Sequence, residues 1–283
     1  MATSPAKAPQ TAILAWQPEM LPPFPAIALK ALNLIAGRDT SLLDLCNLIR
    51  SDPAFSTAIL KIANSPLVAF SRDITSLVQA AMLLGFGRLK SVVITVGLKA
   101  YLQGPVDPLM RSCWRHSVAC AMIAERAATG GGFDRDFAYT AGVMHDIGRA
   151  AMVAAATTKY AQVVAMDADQ PCDLLPRERE LFGVDHCEAG ASLVKAWNLP
   201  SAFLEVMLGH HNREARAHGT AATIAPSCLL ADALGFGVTK YRAIGSYAEV
   251  LSAFPEVARK GFPGEAEAFV SEIAEEIRVM ETV

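Results

Sequence analysis

The stretch Phe137-Ala-Tyr-Thr-Ala-Gly-Val-Met-His-Asp-Ile-Gly-Arg149 places a histidine and an aspartate side by side in an otherwise apolar, small-residue segment. Ala138, Ala141 and Gly142 lie seven, four and three residues before His145, so at helical spacing they share its face and let another helix approach closely. Imidazole suits zinc, iron or nickel and carboxylate suits magnesium or manganese, so His145-Asp146 is a candidate metal-binding pair. Taken alone, a buried hydrogen-bonded couple without a metal is the simpler interpretation.

The composition is that of a globular protein. With 283 residues, of which 52% are hydrophobic and 19% charged, the chain can bury a large core in one big or two modest domains. It contains no uninterrupted apolar run of membrane-spanning length, and residues 1–20 lack an export signal, so we expect a cytoplasmic protein without membrane contacts. Its six cysteines (46, 113, 120, 172, 187 and 228) include no Cys-x-x-Cys pair and are predicted to be reduced core residues.

The charge is distributed unevenly along the chain. Residues 1–103 contain 9 Lys/Arg and 5 Asp/Glu, whereas residues 104–283 contain 16 and 23, which favours two lobes with different surfaces. Neither half is basic enough to indicate nucleic-acid binding. We predict a loosely held tail at 1–19, an N-terminal helical lobe at 20–103 and a second helical domain at 104–283 that includes C-terminal capping helices.

Hydrophobic periodicity predicts an all-α chain. Helical patterns begin at residues 25, 42 and 53, and a longer pattern at 77–102 is interrupted by Gly85-Phe-Gly87. The β-branched run 92–96 lies inside that pattern and is therefore predicted to be helical rather than a strand. A helix near 109–128 carries His116 on its apolar face, the next helix carries His145, and residues 150–156 continue as a buried piece.

The second half of the chain places further polar residues at helix ends. Asp185 and Glu188 have the spacing of a capping box, which puts His186 in the first turn of a helix that runs to Trp197. The next helix ends at Gly209-His-His211, and another around 221–234 carries Asp232. Residues 265–281 are predicted to form an acidic amphipathic helix that packs on or caps the fold.

Five of the six histidines thus lie at buried or terminal helix positions, and His218 in a polar loop is the exception. With Asp146 and Asp232 they offer enough nitrogen and oxygen donors to surround two metal ions, with Asp146 between the ions. The alternative is a set of satisfied core groups, in which Asp185 and Asp232 are caps and Arg149 is in an ion pair. The candidate metal ligands are His116, His145, Asp146, His186, His210, His211 and Asp232.

The order of His116, His145-Asp146 and Asp232 along a helical chain resembles the HD superfamily of metal-dependent phosphohydrolases. His186, His210 and His211 match the added ligands of its two-metal members, including the HD-GYP cyclic-dinucleotide phosphodiesterases. The resemblance is closest to the HDOD family, the HD-related output domain of bacterial signalling proteins, from about residue 20 to residue 212. The segments that carry it are Leu21-Pro-Pro-Phe-Pro-Ala26, Ile49-Arg-Ser-Asp-Pro-Ala54, Leu60-Lys-Ile-Ala-Asn-Ser65, Ile74-Thr-Ser-Leu-Val-Gln-Ala-Ala81, Leu83-Leu-Gly85 and Trp114-Arg-His-Ser117.

The resemblance implies an N-terminal helical bundle packed on an HD-type helical domain, but the chain departs from the family pattern. HDOD domains typically have lost most of the ligands and act as regulatory modules, whereas this chain keeps the set. No Gly-Tyr-Pro follows His211, which weakens an assignment to cyclic di-GMP. Arg149 stands where the related hydrolases usually carry lysine; it keeps the positive charge and could bind a phosphate.

These observations support two functional hypotheses and leave open whether the chain is an enzyme. In the first, a bacterial signalling protein binds two divalent metal ions, with iron, manganese or nickel favoured over zinc or magnesium. It then hydrolyses a phosphoester or nucleotide, with His145 and Asp146 as catalytic residues and Arg149 as a substrate ligand. In the second, the N-terminal lobe binds a signalling partner protein, and the metal site is structural or sensory. A redox-sensing iron pair is a third, less favoured hypothesis.

Overall fold

The computed structural model describes residues 16–17, 21, 24–36, 41–65, 68, 74–102, 107–132, 134–169, 174–211, 221–239 and 245–282. Within these ranges all regular structure is helical, which confirms the predicted all-α fold. A π-helical turn, Asp232–Phe236, directly follows Ala231. The α-helices are α1 (Ala26–Ala36), α2 (Leu42–Arg50), α3 (Pro53–Ala63), α4 (Leu77–Leu102), α5 (Pro108–Gly131), α6 (Arg135–Met144), α7 (Ile147–Asp169), α8 (Leu174–Phe182), α9 (His186–Ala196), α10 (Ala202–Gly209), α11 (Ala221–Ala231), α12 (Tyr247–Leu251), α13 (Glu256–Arg259) and α14 (Ala266–Glu281).

Helices α1 to α3 each pack against α4, and these four helices are the N-terminal lobe. Local side chains set where two of them begin. Ser41 and Asp44 form a reciprocal capping box at α2, and Asp52 accepts hydrogen bonds from the first amides of α3, whose first residue is Pro53. The predicted starts of both helices are confirmed.

By length and composition alone, α4 could cross a membrane. However, 56% of its most apolar window is buried inside the protein. Gly85, with a φ of 74°, also breaks the helix within the predicted interruption at 85–87. The run at 92–96 is helical, as predicted. These features are those of a core helix.

Helix α5 is the element around which the second half of the chain packs. Asp107 caps its start, and Gly132, with a φ of 72°, caps its end. It contacts α6, α7, α11, α13 and α14. The contact with α6 is close because Gly142 has no side chain: a Cβ there would lie 2.5 Å from the Cα atom of Ala121.

The structure corrects the predicted position of His145, which was placed within a helix. Helix α6 ends at Met144, His145 is its C-terminal cap, and Asp146 lies in the turn before α7 begins at Ile147. The reason is local, because His145 Nδ1 lies 2.7 Å from the carbonyl oxygen of Gly142 and binds an acceptor in the last turn of α6. The two adjacent side chains therefore sit at a junction between helices.

The predicted buried piece at 150–156 is confirmed only in part, because residues 150–153 are buried whereas Ala154 and Ala155 are exposed. Helix α7 then breaks at Ala156. Asp185 and Glu188 form the expected capping box, and His186 is the first residue of α9. Gly183 closes α8 with a positive φ of 78°.

Helix α14 contacts both the N-terminal lobe and α5. Glu276 pairs with Arg88 of α4, and Lys99 Nζ donates hydrogen bonds to the carbonyls of Met280 at 3.1 Å and Glu281 at 2.8 Å. Lys99 thus binds the carbonyls at the negative end of the helix. The predicted division at residues 19 and 103 stays a prediction, and residues 1–15 lie outside the described ones.

We expect Gly142→Ala to destabilise the protein by about 1–3 kcal/mol, because the new methyl group would meet backbone atoms that cannot rotate away. The better helix propensity of alanine offsets part of this cost. Chemical denaturation measures the change in the free energy of unfolding. Gly264→Ala is the matched control, since a Cβ there meets nothing within 4 Å. Equal stability of the two variants would contradict the close helix contact.

Candidate metal centre

Asp146 lies at the centre of a buried group of histidines. Its Oδ1 is 3.3 Å from His210 Nε2 and 3.4 Å from His186 Nε2. Its Oδ2 is 3.8 Å from His116 Nε2 and 3.9 Å from His145 Nε2. Among the described residues, neither oxygen has a hydrogen-bond partner. The carboxylate therefore directs one oxygen at each of two imidazole pairs.

Each of these four imidazoles is held through its Nδ1 atom by an oxygen. Carbonyl and carboxylate oxygens only accept hydrogen bonds, so the proton lies on Nδ1, and a neutral ring keeps its lone pair on Nε2. This is the state in which histidine binds a metal. The contacts are His145 with Gly142 O (2.7 Å), His210 with Met207 O (2.9 Å), His116 with Phe236 O (3.2 Å) and His186 with Glu178 Oε2 (2.7 Å).

Glu178 is a buried carboxylate that the sequence analysis missed. Its Oε2 accepts from both Nδ1 and the backbone N–H of His186, and the hydroxyl of Tyr160 donates to its Oε1. Glu178 therefore fixes the orientation of the imidazole and places negative charge behind it. A signal was available, because Glu178 shares a helix face with the apolar residue Phe182 at i,i+4 spacing, and both are buried.

His211 extends the group of imidazoles. Its ring centroid lies 4.4 Å from that of His210 and 4.9 Å from that of His186. Its Nε2 is buried and lacks a hydrogen-bond partner within the described part of the chain. His211 is nevertheless more exposed as a residue than the other four histidines.

Arg149 points into the site. Its Nε lies 3.3 Å from Asp146 Oδ2, and one of its Nη atoms lies 3.3 Å from His186 Nε2. This is the buried ion pair that the sequence offered as the alternative to phosphate binding. The predicted role in substrate binding stays a prediction.

The buried carboxylates are balanced by positive charge. Burial alone would raise the pKa of Asp146, but Arg149, His145 and His186 outweigh it and hold that pKa well below its usual range. Burial opposes protonation of His186, yet the charge of Glu178 raises its pKa to about 10. Burial holds the pKa of His145 well below its usual value. Protons, Arg149 or a metal ion can supply the charge that these carboxylates require.

Asp232 approaches His116 at Nδ1 rather than at Nε2. Its Oδ1 lies 3.4 Å from Nδ1 of that ring. Asp232 begins the π-helical turn, whose wider winding also brings the carbonyl of Phe236 to the same nitrogen. The role of Asp232 as a metal ligand stays a prediction.

Two cysteines contact the site histidines, although all six were predicted only to be reduced core residues. Cys228 Sγ lies 3.5 Å from His116 Nε2, and Cys187 Sγ lies 4.0 Å from His210 Nε2. Cys228 precedes Asp232 by four residues and so shares its helix face, a spacing that was visible in the sequence. Burial of these two and of Cys46, Cys113 and Cys120 fits the expected core positions, and Cys172 lies outside the described residues.

The donor atoms form two groups that could each hold a metal ion. The His186 group consists of Asp146, His186, His210 and His211, and the His116 group consists of His116, His145 and Cys228; within each group the donor atoms lie within 4.8 Å of one another. Unsatisfied buried atoms of Asp146, His145 and His211 are the kind that an ion would satisfy. The structure therefore brings every predicted ligand except Asp232 into one of two adjoining groups, with Asp232 behind His116.

Solved structures of other proteins share this fold. An HDOD domain protein of unknown function from Geobacter sulfurreducens is 26% identical with a TM-score of 0.72, over 92% of this chain and 91% of that one. A candidate signal transduction protein from Marinobacter aquaeolei VT8 is 20% identical with a TM-score of 0.74, over 96% of this chain and 63% of that one. A candidate metal-dependent phosphohydrolase from Shewanella amazonensis SB2B is 18% identical with a TM-score of 0.60, over 92% of each chain.

Sequence comparisons identify the family. A curated protein of Treponema pallidum (strain Nichols) is 25% identical over 194 residues, which are 68% of this chain but only 38% of that protein. The chain thus spans well under half the length of that relative. A family model for the HDOD domain matches residues 21–213, close to the span predicted from the sequence. Because this match covers more than half of the chain, the chain belongs to the HDOD domain family.

Proposed function

We propose that this chain is a bacterial signalling protein that holds two divalent metal ions in an HD-type site and hydrolyses a phosphoester or nucleotide. The observation that carries the proposal is the position of Asp146, whose two oxygens face separate imidazole pairs. A carboxylate that bridges two ions has this arrangement. The shared fold with a candidate signal transduction protein and a candidate metal-dependent phosphohydrolase supports both parts of the proposal.

The residues present fit two ions. His186, His210 and His211 with Asp146 Oδ1 would hold one, and His116 and His145 with Asp146 Oδ2 would hold the other. Bound ions would supply Lewis-acid chemistry and charge neutralisation at a phosphoester. Mixed imidazole and carboxylate donors favour iron, manganese or nickel, with zinc and magnesium also compatible.

The protein's own residues orient the site and recruit the substrate. Glu178 and the carbonyls behind the other rings keep the Nε2 atoms directed at Asp146. When the guanidinium of Arg149 is released from Asp146, its paired N–H groups would bind phosphoryl oxygens of the substrate. His211, the most exposed of the five site histidines, marks the side from which a substrate would enter.

The burial of the site favours a second candidate function, in which the domain has a regulatory role and no catalytic activity. His145 and Asp146 are at most 2% exposed, and Arg149 is engaged in an ion pair. The metal would then be structural or sensory, and the N-terminal lobe would bind a signalling partner protein. Both versions place the protein in the cytoplasm and require neither nucleic acid nor a membrane.

Metal analysis of the purified full chain, followed by turnover assays with generic phosphoesters, nucleotides and cyclic dinucleotides, tests the proposal. We expect two divalent ions per chain and hydrolysis of at least one substrate class. A metal-loaded protein that is inert toward all of these substrates would exclude the hydrolase function and favour the regulatory one. A chain that binds no divalent ion would refute both versions.

His145→Ala should abolish hydrolysis because it removes a proposed metal ligand, and since it also removes the hydrogen bond from Nδ1 to the carbonyl of Gly142, folding is measured alongside activity. Loss of an outer partner of a metal ligand alone typically costs roughly 10–100-fold, so removal of a proposed ligand should cost more. Circular dichroism and steady-state kinetics measure the two effects. Retained activity would exclude His145 from the catalytic site.

Glu178→Gln should weaken metal binding by roughly 10–100-fold, because a neutral amide no longer supplies negative charge behind His186. Competition with a chelating dye measures the affinity. Glu276→Gln is the matched control, because it also neutralises a buried carboxylate but one that pairs with Arg88 of α4. A similar loss in both variants would indicate general destabilisation instead of an effect at the metal.

A further inference from the structure

Cys228 is a buried thiol within the His116 group. It lies on α11 with 3% of its surface exposed, and its Sγ is 3.5 Å from His116 Nε2. The donor atoms of His116, His145 and Cys228 all lie within 4.8 Å of one another. Three side chains from different helical elements thus place one sulfur and two nitrogens around a common point.

His145 gives a second, independent indication of a ligand at this point. Its Nδ1 binds the carbonyl of Gly142, and its Nε2 has no hydrogen-bond partner within the described ranges. The side chain is completely buried. A buried imidazole nitrogen in this state needs a hydrogen-bond donor or a cation. A cation bound by His116 and His145 would also lie within reach of the Cys228 sulfur.

Asp232 occupies the other side of His116. It lies 3.4 Å from Nδ1, and the carbonyl of Phe236 lies 3.2 Å from the same atom. Both acceptors favour a proton on Nδ1, which leaves the Nε2 lone pair on the side of Cys228 and Asp146. Asp232 therefore has the position of an orienting carboxylate behind a ligand.

We propose that Cys228 is a metal ligand, so that the His116 group and Asp146 Oδ2 bind one ion through a thiolate, two imidazoles and a carboxylate. The proposal rests on the metal centre of the proposed function. The observed distance of 3.5 Å between Cys228 Sγ and His116 Nε2 matches the edge of a tetrahedral zinc site, which is roughly 3.5 Å for ordinary Zn–S and Zn–N bonds. On binding, the thiol releases its proton to solvent.

The two groups then differ in the ions that they prefer. A thiolate selects zinc or iron over magnesium and manganese, whereas the His186 group contains only nitrogen and oxygen donors. The inferred centre is therefore asymmetric. The ion next to Cys228 is the one that thiolate-seeking metals replace first.

Cobalt(II) tests this assignment, because a thiolate ligand produces an intense near-ultraviolet charge-transfer band that nitrogen and oxygen ligands do not. The metal-free full chain is titrated with cobalt while absorbance and bound cobalt are measured. We expect the band in the natural chain and its loss in Cys228→Ser. Cys46→Ser in the N-terminal lobe and Cys187→Ser beside His210 are the controls, and both should keep the band.

Two further measurements do not depend on the folding of Cys228→Ser. Zinc-edge X-ray absorption of the zinc-loaded natural chain should show a sulfur neighbour at roughly 2.3 Å. Asp232→Asn should keep the cobalt band at saturation, since Asp232 acts through Nδ1 of His116. Loss of the band in this variant, with cobalt still bound, would overturn the orienting role of Asp232.

The outcomes separate this inference from the proposed function. Cobalt that binds without the band, or zinc that binds without a sulfur neighbour, would show Cys228 to be only hydrogen-bonded to His116 and would leave the metal centre intact. A chain that binds neither ion would overturn both.

Discussion

A carboxylate buried among imidazoles must be balanced by positive charge, and Asp146 imposes this constraint on the site. Burial of an uncompensated charge would cost several kcal/mol, and Asp146 is only 2% exposed. The surrounding groups are arranged around this carboxylate. Arg149 lies against one of its oxygens, and four histidine rings direct Nε2 toward the two oxygens. The hydrogen bonds at the outer nitrogens keep that orientation.

Close helix packing lets separate elements reach this one carboxylate. Gly142 brings α6 against α5, and a side chain at Gly148 would collide with the carbonyl of His186 and the backbone of Gly190. The glycines therefore set the distance between the junction that carries Asp146 and the helix that begins with His186. Interiors packed this tightly do not yield to an added methyl group without strain.

Much of the fold could be predicted from the sequence, because helix periodicity and capping depend on residues close together in the chain. Periodicity predicted the helices, and the capping box placed His186 at the start of α9. The end of α6 at Met144 and the π-helical turn at Asp232 were not predictable, since neither position is marked by a proline or a capping box. The inward orientations of Glu178 and Cys228 likewise depend on which helix faces them, although their spacing from Phe182 and Asp232 was a usable signal.

The guanidinium of Arg149 is a permanent positive charge inside the site. Because its Nε lies 3.3 Å from Asp146 Oδ2, an incoming cation must share that oxygen with the guanidinium or displace it. In the proposed metal-bound state, ion uptake would exchange a tethered counter-ion for a free one. Loss of the free ion would then leave Asp146 still compensated, and metal occupancy would be coupled to the position of one side chain.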